Sequence, residues 1–126
     1  IRVVLTGGEP LLQVDKPLID ALKNEEIYIA VETNGTLEAP DGIDWICMSP
    51  KANTEIKLKK GSEVKVVYPQ KNLNPDDFNV LDFKNFYIQP MDSQSYEDNV
   101  SQAVKYCMRN PNWKLSLQTH KILGIR

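Results

Sequence analysis

The sequence predicts an α/β fold in which most strands are parallel and few helices connect them. Three observations support this prediction: six short runs of β-branched and aromatic residues, only two long helical segments, and polar residues where each run ends. The 126 residues are 41% hydrophobic and 25% charged, which fits the size and composition of one ordinary domain. We therefore expect a single domain over residues 1–126.

The predicted strands are residues 2–5, 27–31, 45–48, 64–68, 86–88 and 113–117. Several of these runs are nearly continuous in apolar residues, as expected for strands covered on both faces. The connections 33–44 and 49–63 are short for full crossover helices. We therefore expect loops or single turns there, and a reduced set of helices overall.

Two segments have helical signatures. In residues 15–24, Asp15 is a suitable N-cap and Pro17 lies in the first turn. In residues 95–109, apolar side chains recur at helical spacing and predict one buried face, made of Val100, Ala103, Val104, Cys107 and Met108. A short helical turn is expected after Asn74.

Every predicted strand ends in small, polar or charged residues. In parallel α/β folds, ligands bind at the carboxyl ends of the strands. Turn formation explains the glycines and prolines at these positions, but it does not explain the other residues that would share this rim, namely Glu9, Glu32, Lys51, Gln89, Asp92 and His120. The pattern therefore predicts a ligand site at this edge.

The first predicted strand runs directly into Gly7-Gly8-Glu9. Glycines at such a position allow a ligand to approach the backbone closely. The Walker pattern and the dinucleotide fingerprint are both absent from the sequence. An acidic residue after the glycines suits an ammonium group, such as that of an amino acid, better than a phosphate.

Charge and hydropathy narrow the class of partner. The net charge of −2 provides no basic field for nucleic acid. No apolar run approaches the roughly 20 residues of a membrane span, and no charged-then-apolar leader is recognised. We expect a cytoplasmic protein. Cys47 and Cys107 form no C-x-x-C pair and are expected to pack as small apolar residues, so a disulfide or metal site is not expected.

Residues 5–10, with the sequence LTGGEP, resemble the GGE motif of radical S-adenosylmethionine (SAM) enzymes. Four further stretches, in this order, are similar to the 7-carboxy-7-deazaguanine synthases of that superfamily: VETNGT at 31–36, SPK at 49–51, YIQPMD at 87–92 and LSLQTHK at 115–121. The resemblance covers essentially the whole chain. It implies a partial (β/α) barrel of the radical SAM type.

The resemblance implies a SAM site formed by Gly7, Gly8, Glu9, Ser49, Pro50, Lys51, Gln89, Pro90, Met91 and Asp92. Lys51 is suited to the methionine carboxylate, and Asp92 to the ribose hydroxyls. From the residues alone, a solvated surface lysine is the favoured interpretation of Lys51. Asp92 is alternatively a cap of the helix that follows it, a role compatible with ligand binding.

The resemblance also implies substrate-binding roles for Thr6, Asn34, His120 and Arg126. Two of these regions have alternative interpretations. His120 is also a suitable residue for a helix N-terminus, and Glu32 is placed to orient the turn at Asn34. No catalytic residue is assigned.

The activity that the resemblance implies is that of a lyase in queuosine and 7-deazapurine biosynthesis. It converts 6-carboxy-5,6,7,8-tetrahydropterin to 7-carboxy-7-deazaguanine with loss of ammonia. The implied cofactors are SAM, a [4Fe–4S] cluster and Mg²⁺. The implied partners are the pterin substrate, an electron donor such as flavodoxin, and a second copy in a homodimer.

One departure from the family concerns the cluster, which the family holds on three N-terminal cysteines. Cys47 falls in a predicted strand and Cys107 in a predicted helix, so neither replaces them. We therefore expect this chain to be the C-terminal part of a radical SAM core that lacks the first strand, the cluster loop and the first helix, to contain no metal ligands and to be inactive alone. Two alternatives remain: another radical SAM enzyme, such as a glycyl-radical activating enzyme, and a non-catalytic domain that binds SAM or a nucleotide.

Overall fold

The computed structural model describes residues 1–125, which form one six-stranded sheet. All neighbouring strands are parallel and lie in chain order. The strands are β1 (Arg2–Leu5), β2 (Tyr28–Thr33), β3 (Trp45–Met48), β4 (Lys60–Tyr68), β5 (Asp82–Pro90) and β6 (Trp113–Leu115). Because all strands point the same way, their carboxyl ends meet at one edge, as the sequence predicts.

Few helices accompany the sheet. They are α1 (Lys16–Asn24), α2 (Tyr96–Arg109) and α3 (Thr119–Ile122), with 3-10 turns at Pro10–Leu12 and Pro75–Phe78. The connections from β2 to β3 and from β3 to β4 contain no helix, which confirms that prediction. None of the helices in residues 1–125 is long and apolar enough to cross a membrane.

The two faces of the sheet differ in chemistry. On the face that contacts α1 and α2, the helix-covered face, the fully buried side chains include Ile29, Val31, Val64, Val66 and Ile88. Burying each of these side chains contributes about 1.5–3 kcal/mol. The opposite face, the open face, is mixed: at the alternate positions it carries charged residues such as Glu32, Glu63 and Lys65 beside apolar ones such as Ala30 and Val67. The hydrophobic core therefore lies on one side of the sheet only.

Trp113 anchors the core beside β5 and β6. It is 2% exposed, and its ring centroid lies 5.1 Å from that of Phe86 and 6.0 Å from that of Tyr106. Its indole Nε1 donates a hydrogen bond to Asn79 Oδ1 at 2.8 Å, so the buried N–H is paired. Trp113 therefore packs in the core with its one polar atom satisfied.

The first helix confirms the sequence prediction in detail. Its N-cap is Asp15, whose Oδ1 accepts a hydrogen bond from the Leu18 backbone N–H at 3.0 Å, and Pro17 lies in the first turn. Its buried residue is Ile19, which packs against β2. The turn after Asn74 is also present, as Pro75–Phe78.

The buried face of α2 differs from the predicted one. The buried residues are Asn99, Ala103 and Tyr106, whereas Val104 and Met108 are 36% and 77% exposed. The reason is hydrogen bonding: Asn99 Nδ2 donates to Met91 O at 2.9 Å, and the Tyr106 hydroxyl donates to Asp76. Polar side chains with such partners are buried at little cost. Asn99 and Tyr106 therefore face the core, while Val104 and Met108 lie on the exposed side of α2.

Three strands are longer than predicted, with β2 extending to Thr33, whereas β6 ends at Leu115 rather than at 117. β4 and β5 each have 9 residues, and they begin at Lys60 and Asp82 rather than at 64 and 86. The added residues are largely polar, which conceals them from a search for apolar runs. The turn Pro10–Leu12 was also not predicted.

Candidate active site at the carboxyl edge of the sheet

Two adjoining depressions lie at the carboxyl edge, with volumes of about 610 and 270 Å³. They share Glu32, Ser49 and Lys51, and together we name them the carboxyl-edge groove. The groove is lined by Thr6, Gly7, Gly8, Glu32, Thr33, Asn34, Cys47, Ser49, Lys51, Lys65, Val67, Gln89 and residues 116–120. It therefore brings together predicted residues from β1, β2, β3, β5 and the segment after β6.

The glycines after β1 form an open wall of the groove. A side chain at Gly7 or Gly8 would meet no atom within 4 Å, and Gly7 has a φ of +124°, which other residues rarely adopt. Both residues are exposed. A ligand can therefore contact the backbone here without steric obstruction.

Glu9 is placed differently from the sequence expectation of an ammonium ligand. Its Oε1 accepts a hydrogen bond from the Asn34 N–H at 2.7 Å, and its Oε2 accepts from Thr33 Oγ1 at 2.7 Å and from the Leu11 N–H at 3.0 Å. Glu9 is not among the residues that line the groove. Its carboxylate joins the end of β1 to the end of β2.

Asn34 lies in the turn that follows β2. Its Oδ1 accepts hydrogen bonds from the Thr36 N–H at 3.0 Å and from the Thr36 hydroxyl at 2.7 Å, which closes the turn. The Nδ2 group makes no hydrogen bond with the residues of 1–125 and remains available as a donor. At Gly35, φ is +80° and an added Cβ would lie 2.3 Å from Met48 Sδ, so only glycine fits.

The segment after β3 contributes Ser49 and the positively charged Lys51 to the groove. The Ser49 N–H donates to Thr33 O at 2.8 Å, and Pro50 is fully buried, so both have fixed positions. Lys51 is exposed and forms no ion pair with any residue in 1–125. Its charge is available to an anionic ligand.

The last residues of β5 and those that follow it differ in their positions relative to the groove. Gln89 lines the groove, and Pro90 is buried. The Met91 backbone is held between Tyr68 O, which accepts its N–H at 2.9 Å, and Asn99 Nδ2, which donates to its carbonyl at 2.9 Å. Met91 and Asp92 lie beyond the residues that line the groove.

Asp92 does not cap the helix that follows it. The N-cap of α2 is Ser95, which makes no side-chain capping hydrogen bond. Instead, Asp92 Oδ2 lies 2.6 Å from Lys121 Nζ in α3. The alternative interpretation of Asp92 as a cap is therefore wrong.

His120 lies in the first turn of α3, is exposed and lines the larger depression with Gln118 and Thr119. Thr6 lies at the opposite end of the groove. The groove therefore separates these two predicted substrate residues and places Lys51 between them. Arg126, the remaining predicted substrate residue, lies outside the described residues.

Two charged groove residues received no binding role from the sequence, although Glu32 was placed on the ligand rim. Glu32 lines both depressions, and Lys65 lines the larger one. Both occupy open-face positions, between buried residues such as Val31 and Thr33, or Val64 and Val66. A charged residue that alternates with buried ones along a strand is the signal that identifies them.

Cys47 also reaches the groove, but as an unreactive thiol. It is 6% exposed, and in the sheet register it lies between Glu32 and Glu63. Burial, followed by the neighbouring Glu63, raises the pKa of Cys47 to about 12. In residues 1–125, no cluster of three or more His, Cys, Asp or Glu side chains suits a metal ion.

Comparison with known proteins shows which proteins the chain is similar to. No family model matches it. The 7-carboxy-7-deazaguanine synthase of Bradyrhizobium diazoefficiens is 57% identical over 124 residues, which cover 98% of this chain and 59% of that protein. The chain is a homologue of the 7-carboxy-7-deazaguanine synthases. The synthase of Bordetella pertussis is 50% identical over 123 residues, and that of Bacteroides thetaiotaomicron is 40% identical over 126 residues.

The fold supports the same relationship. The crystal structure of QueE from Escherichia coli matches with a TM-score of 0.67 and 26% identity, over 93% of this chain and 56% of that chain. The predicted α/β fold with parallel strands and few helices is thus confirmed as that of a synthase homologue. The chain spans about three-fifths of the length of the Bradyrhizobium diazoefficiens and Bordetella pertussis synthases, since it covers 59% of each.

Proposed function

We propose that the full-length protein containing this chain is a lyase that converts 6-carboxy-5,6,7,8-tetrahydropterin to 7-carboxy-7-deazaguanine and ammonia. The observation that carries this proposal is the similarity of 98% of the chain to a synthase at 57% identity. The carboxyl-edge groove supports it, because residues from five strand ends converge there. The product would enter queuosine and 7-deazapurine biosynthesis.

The groove has the features that a SAM site requires. The open backbone at Gly7 and Gly8 would contact the methionine part, while Ser49 and Lys51 would hold its carboxylate. Residues 89–92 would contact the adenosine part, with Asp92 exchanging its exposed partner Lys121 for ribose hydroxyls. When bound with a reduced cluster, SAM supplies the oxidising power that removes a hydrogen atom from the substrate.

The remaining groove residues suit a carboxylated pterin. The pterin ring presents adjacent N–H donors, which the Glu32 carboxylate can accept, since charge-assisted hydrogen bonds are the strong ones. Asn34 Nδ2 and Thr6 would provide additional polar contacts at the same end of the groove. SAM and the substrate each carry one carboxylate, and the groove contains two lysines without ion-pair partners in residues 1–125, Lys51 and Lys65.

We assign the substrate carboxylate to Lys65 and a proton-transfer role to His120. Ring contraction releases ammonia, so the departing nitrogen must gain a proton. His120 lines the same depression as Lys65 and is exposed, which allows its ring to exchange protons with solvent. Its imidazole N–H is therefore a suitable donor to that nitrogen.

The cluster and Mg²⁺ do not fit the residues of this chain. Residues 1–125 contain no suitable cluster of metal ligands, and the two free cysteines lie in β3 and α2. Both cofactors would be held by residues outside this chain, and the chain alone would be inactive. An electron donor such as flavodoxin, a homodimeric assembly and a cytoplasmic location complete the proposal.

The decisive experiment is turnover by the purified full-length protein. With its cluster reduced under anaerobic conditions, the protein should convert the carboxy-pterin to the deazaguanine, detected by mass spectrometry together with stoichiometric ammonia. A glycyl-radical activating enzyme would consume SAM but leave the pterin intact. A non-catalytic binding domain would leave both unchanged. Either of these results contradicts the proposal.

A further inference from the structure

From the hydrogen bonds of its carboxylate, we infer that Glu9 is a positioning residue that fixes the backbone of both binding segments and does not contact bound SAM. The inference concerns the segment 6–9, which would bind SAM, and the turn 33–36, which would bind the substrate. It rests on the proposed function for the identity of the two ligands. The hydrogen bonds of the Glu9 carboxylate do not depend on the proposed function.

The first step is that the carboxylate of Glu9 is already occupied. It accepts three hydrogen bonds, from the Asn34 N–H at 2.7 Å, Thr33 Oγ1 at 2.7 Å and the Leu11 N–H at 3.0 Å. A carboxylate offers about four acceptor positions. Two of the three donors belong to β2 and its turn, so the carboxylate spans from one strand end to the next.

The second step is the orientation of Glu9 relative to the groove. Gly7, Gly8 and Asn34 line the groove, whereas Glu9 is half-buried and does not. The carboxylate therefore lies behind the surface that a ligand would meet. An ammonium group bound against Gly7 and Gly8 would contact backbone atoms and not this side chain.

The third step is that the contacts continue to β3. Thr33 is 3% exposed, and its carbonyl accepts the Ser49 N–H at 2.8 Å. A shift of Thr33 would thus displace Ser49, which is a predicted SAM residue, together with Asn34, which is a predicted substrate residue. Glu9 therefore holds the three adjacent strand ends in one arrangement, and its loss should affect both ligands.

The test compares Glu9→Gln with wild type in the full-length protein. Gln has the same size but only one acceptor oxygen, so in either orientation its NH2 group, which cannot accept, faces the backbone N–H of Asn34 or that of Leu11. Hydrogen exchange would be measured in peptides that contain Leu11 and Asn34. Affinities would be measured for SAM and for its analogue that lacks the amino group. Glu38→Gln is the matched control, because Glu38 is exposed and lies outside the groove.

We expect Glu9→Gln to accelerate exchange at Leu11, at Asn34 or at both, and to weaken binding of SAM and of the deaminated analogue by the same factor, about tenfold, as for loss of a charge-assisted hydrogen bond. Substrate KM should rise as well. A loss confined to SAM, with the analogue unaffected, would show direct contact with the ammonium group and overturn the inference. Unchanged exchange at both segments would overturn it too.

Two further measurements keep the test decisive. If Glu9→Gln does not fold, Thr33→Val removes one donor to the carboxylate and leaves the carboxylate intact. Because Thr33 Oγ1 also accepts a hydrogen bond from the Gly35 N–H at 3.2 Å, exchange is read at the Asn34 N–H alone. Exchange should accelerate there, and no acceleration would refute the inference. If the wild-type protein binds no SAM, the proposed function fails. The exchange data alone then decide whether Glu9 positions the two segments.

Discussion

Asp92 and Lys121 form an ion pair, with Oδ2 2.6 Å from Nζ, that joins the segment after β5 to α3. Both side chains are about half exposed, at 57% and 48%, so the pair contributes little to folding and exchanges readily for another partner. Lys51 differs from Lys121 because no described residue pairs with it. Lys121, outside the groove, is thus neutralised, whereas Lys51 and Lys65 within the groove remain available to anionic ligands.

Replacing Lys51 with alanine should therefore weaken SAM binding. A charge-assisted hydrogen bond contributes about 1.5–3 kcal/mol, which corresponds to a rise in Kd of at least about tenfold. Calorimetric titration of the full-length protein with SAM measures the effect. Lys84→Ala is the control, because Lys84 is exposed on β5 outside the groove. Equal SAM affinity in both variants would remove Lys51 from the site.

His120→Ala should impair the reaction more than SAM binding. The ring lines the larger depression and is proposed to protonate the departing nitrogen, so its loss should lower kcat about 100-fold, the scale of general acid catalysis. Turnover and SAM affinity would be measured on the same preparation. If product formation and SAM affinity fall by the same factor, His120 has no separate role toward the substrate.

Lys65→Gln should reduce affinity for the carboxylated substrate specifically. The proposed partner of Lys65 is the substrate carboxylate, so a tetrahydropterin that lacks this group should bind wild type and variant equally. The carboxylated compound should lose about tenfold in affinity. Lys114→Gln provides the comparison, since Lys114 lies on β6 outside the groove. A similar loss for both compounds would contradict the assignment.

Gly35→Ala should destabilise the fold. The added Cβ would lie 2.3 Å from Met48 Sδ at a φ of +80°, which combines steric overlap with an unfavourable backbone conformation. We expect a loss of about 3 kcal/mol in the free energy of unfolding, measured by urea denaturation. Gly8→Ala should change it by under about 1 kcal/mol, because its Cβ meets no atom within 4 Å. Equal losses in the free energy of unfolding for Gly35→Ala and Gly8→Ala would refute the close packing at Gly35.

Cys47 should resist alkylation in the folded protein. Burial raises its pKa to about 12, so at pH 8.5 almost no reactive thiolate is present. The pKa of Cys47 is higher in the folded than in the unfolded protein, so the protonated thiol favours the folded state. This contribution to stability is fully present below the ordinary thiol pKa and is lost as the pH rises toward 12. Peptide mass spectrometry should show labelling at least about 100-fold slower than in urea. Comparable native and denatured rates would contradict the burial.

The class of fold was predictable because the strands are rich in β-branched residues, as at Val64 and Val66. The expectation that the strands are covered on both faces was wrong, because residues such as Glu32 and Lys65 alternate with the buried ones and lie on the open face. The site edge was predictable, since parallel strands end together. Strand lengths were not, because Lys60 and Asp82 begin β4 and β5 with charged residues. The identity of the ligands came from motif resemblance and not from these patterns.

The sequence does not show which polar groups form hydrogen bonds with residues distant in the chain. Glu9 and Asn34 are 25 residues apart, and their hydrogen bond depends on the alignment of β1 with β2. Tyr106 and Asp76 are 30 residues apart and orient α2 by a contact that no periodicity encodes. Short-range pattern therefore predicts the elements, and long-range pairing decides which face of each is buried.

Because the core lies on one side of the sheet, different residues provide fold stability and ligand binding. In many enzymes the same residues must meet both requirements. Side chains such as Ile29 and Ile88 stabilise the sheet from its helix-covered face, while Glu32 and Lys65 project from the other face of the same framework. Mutations on the open face can therefore alter ligand preference while the fold retains most of its stability. This division makes the scaffold tolerant of change where new chemistry would arise.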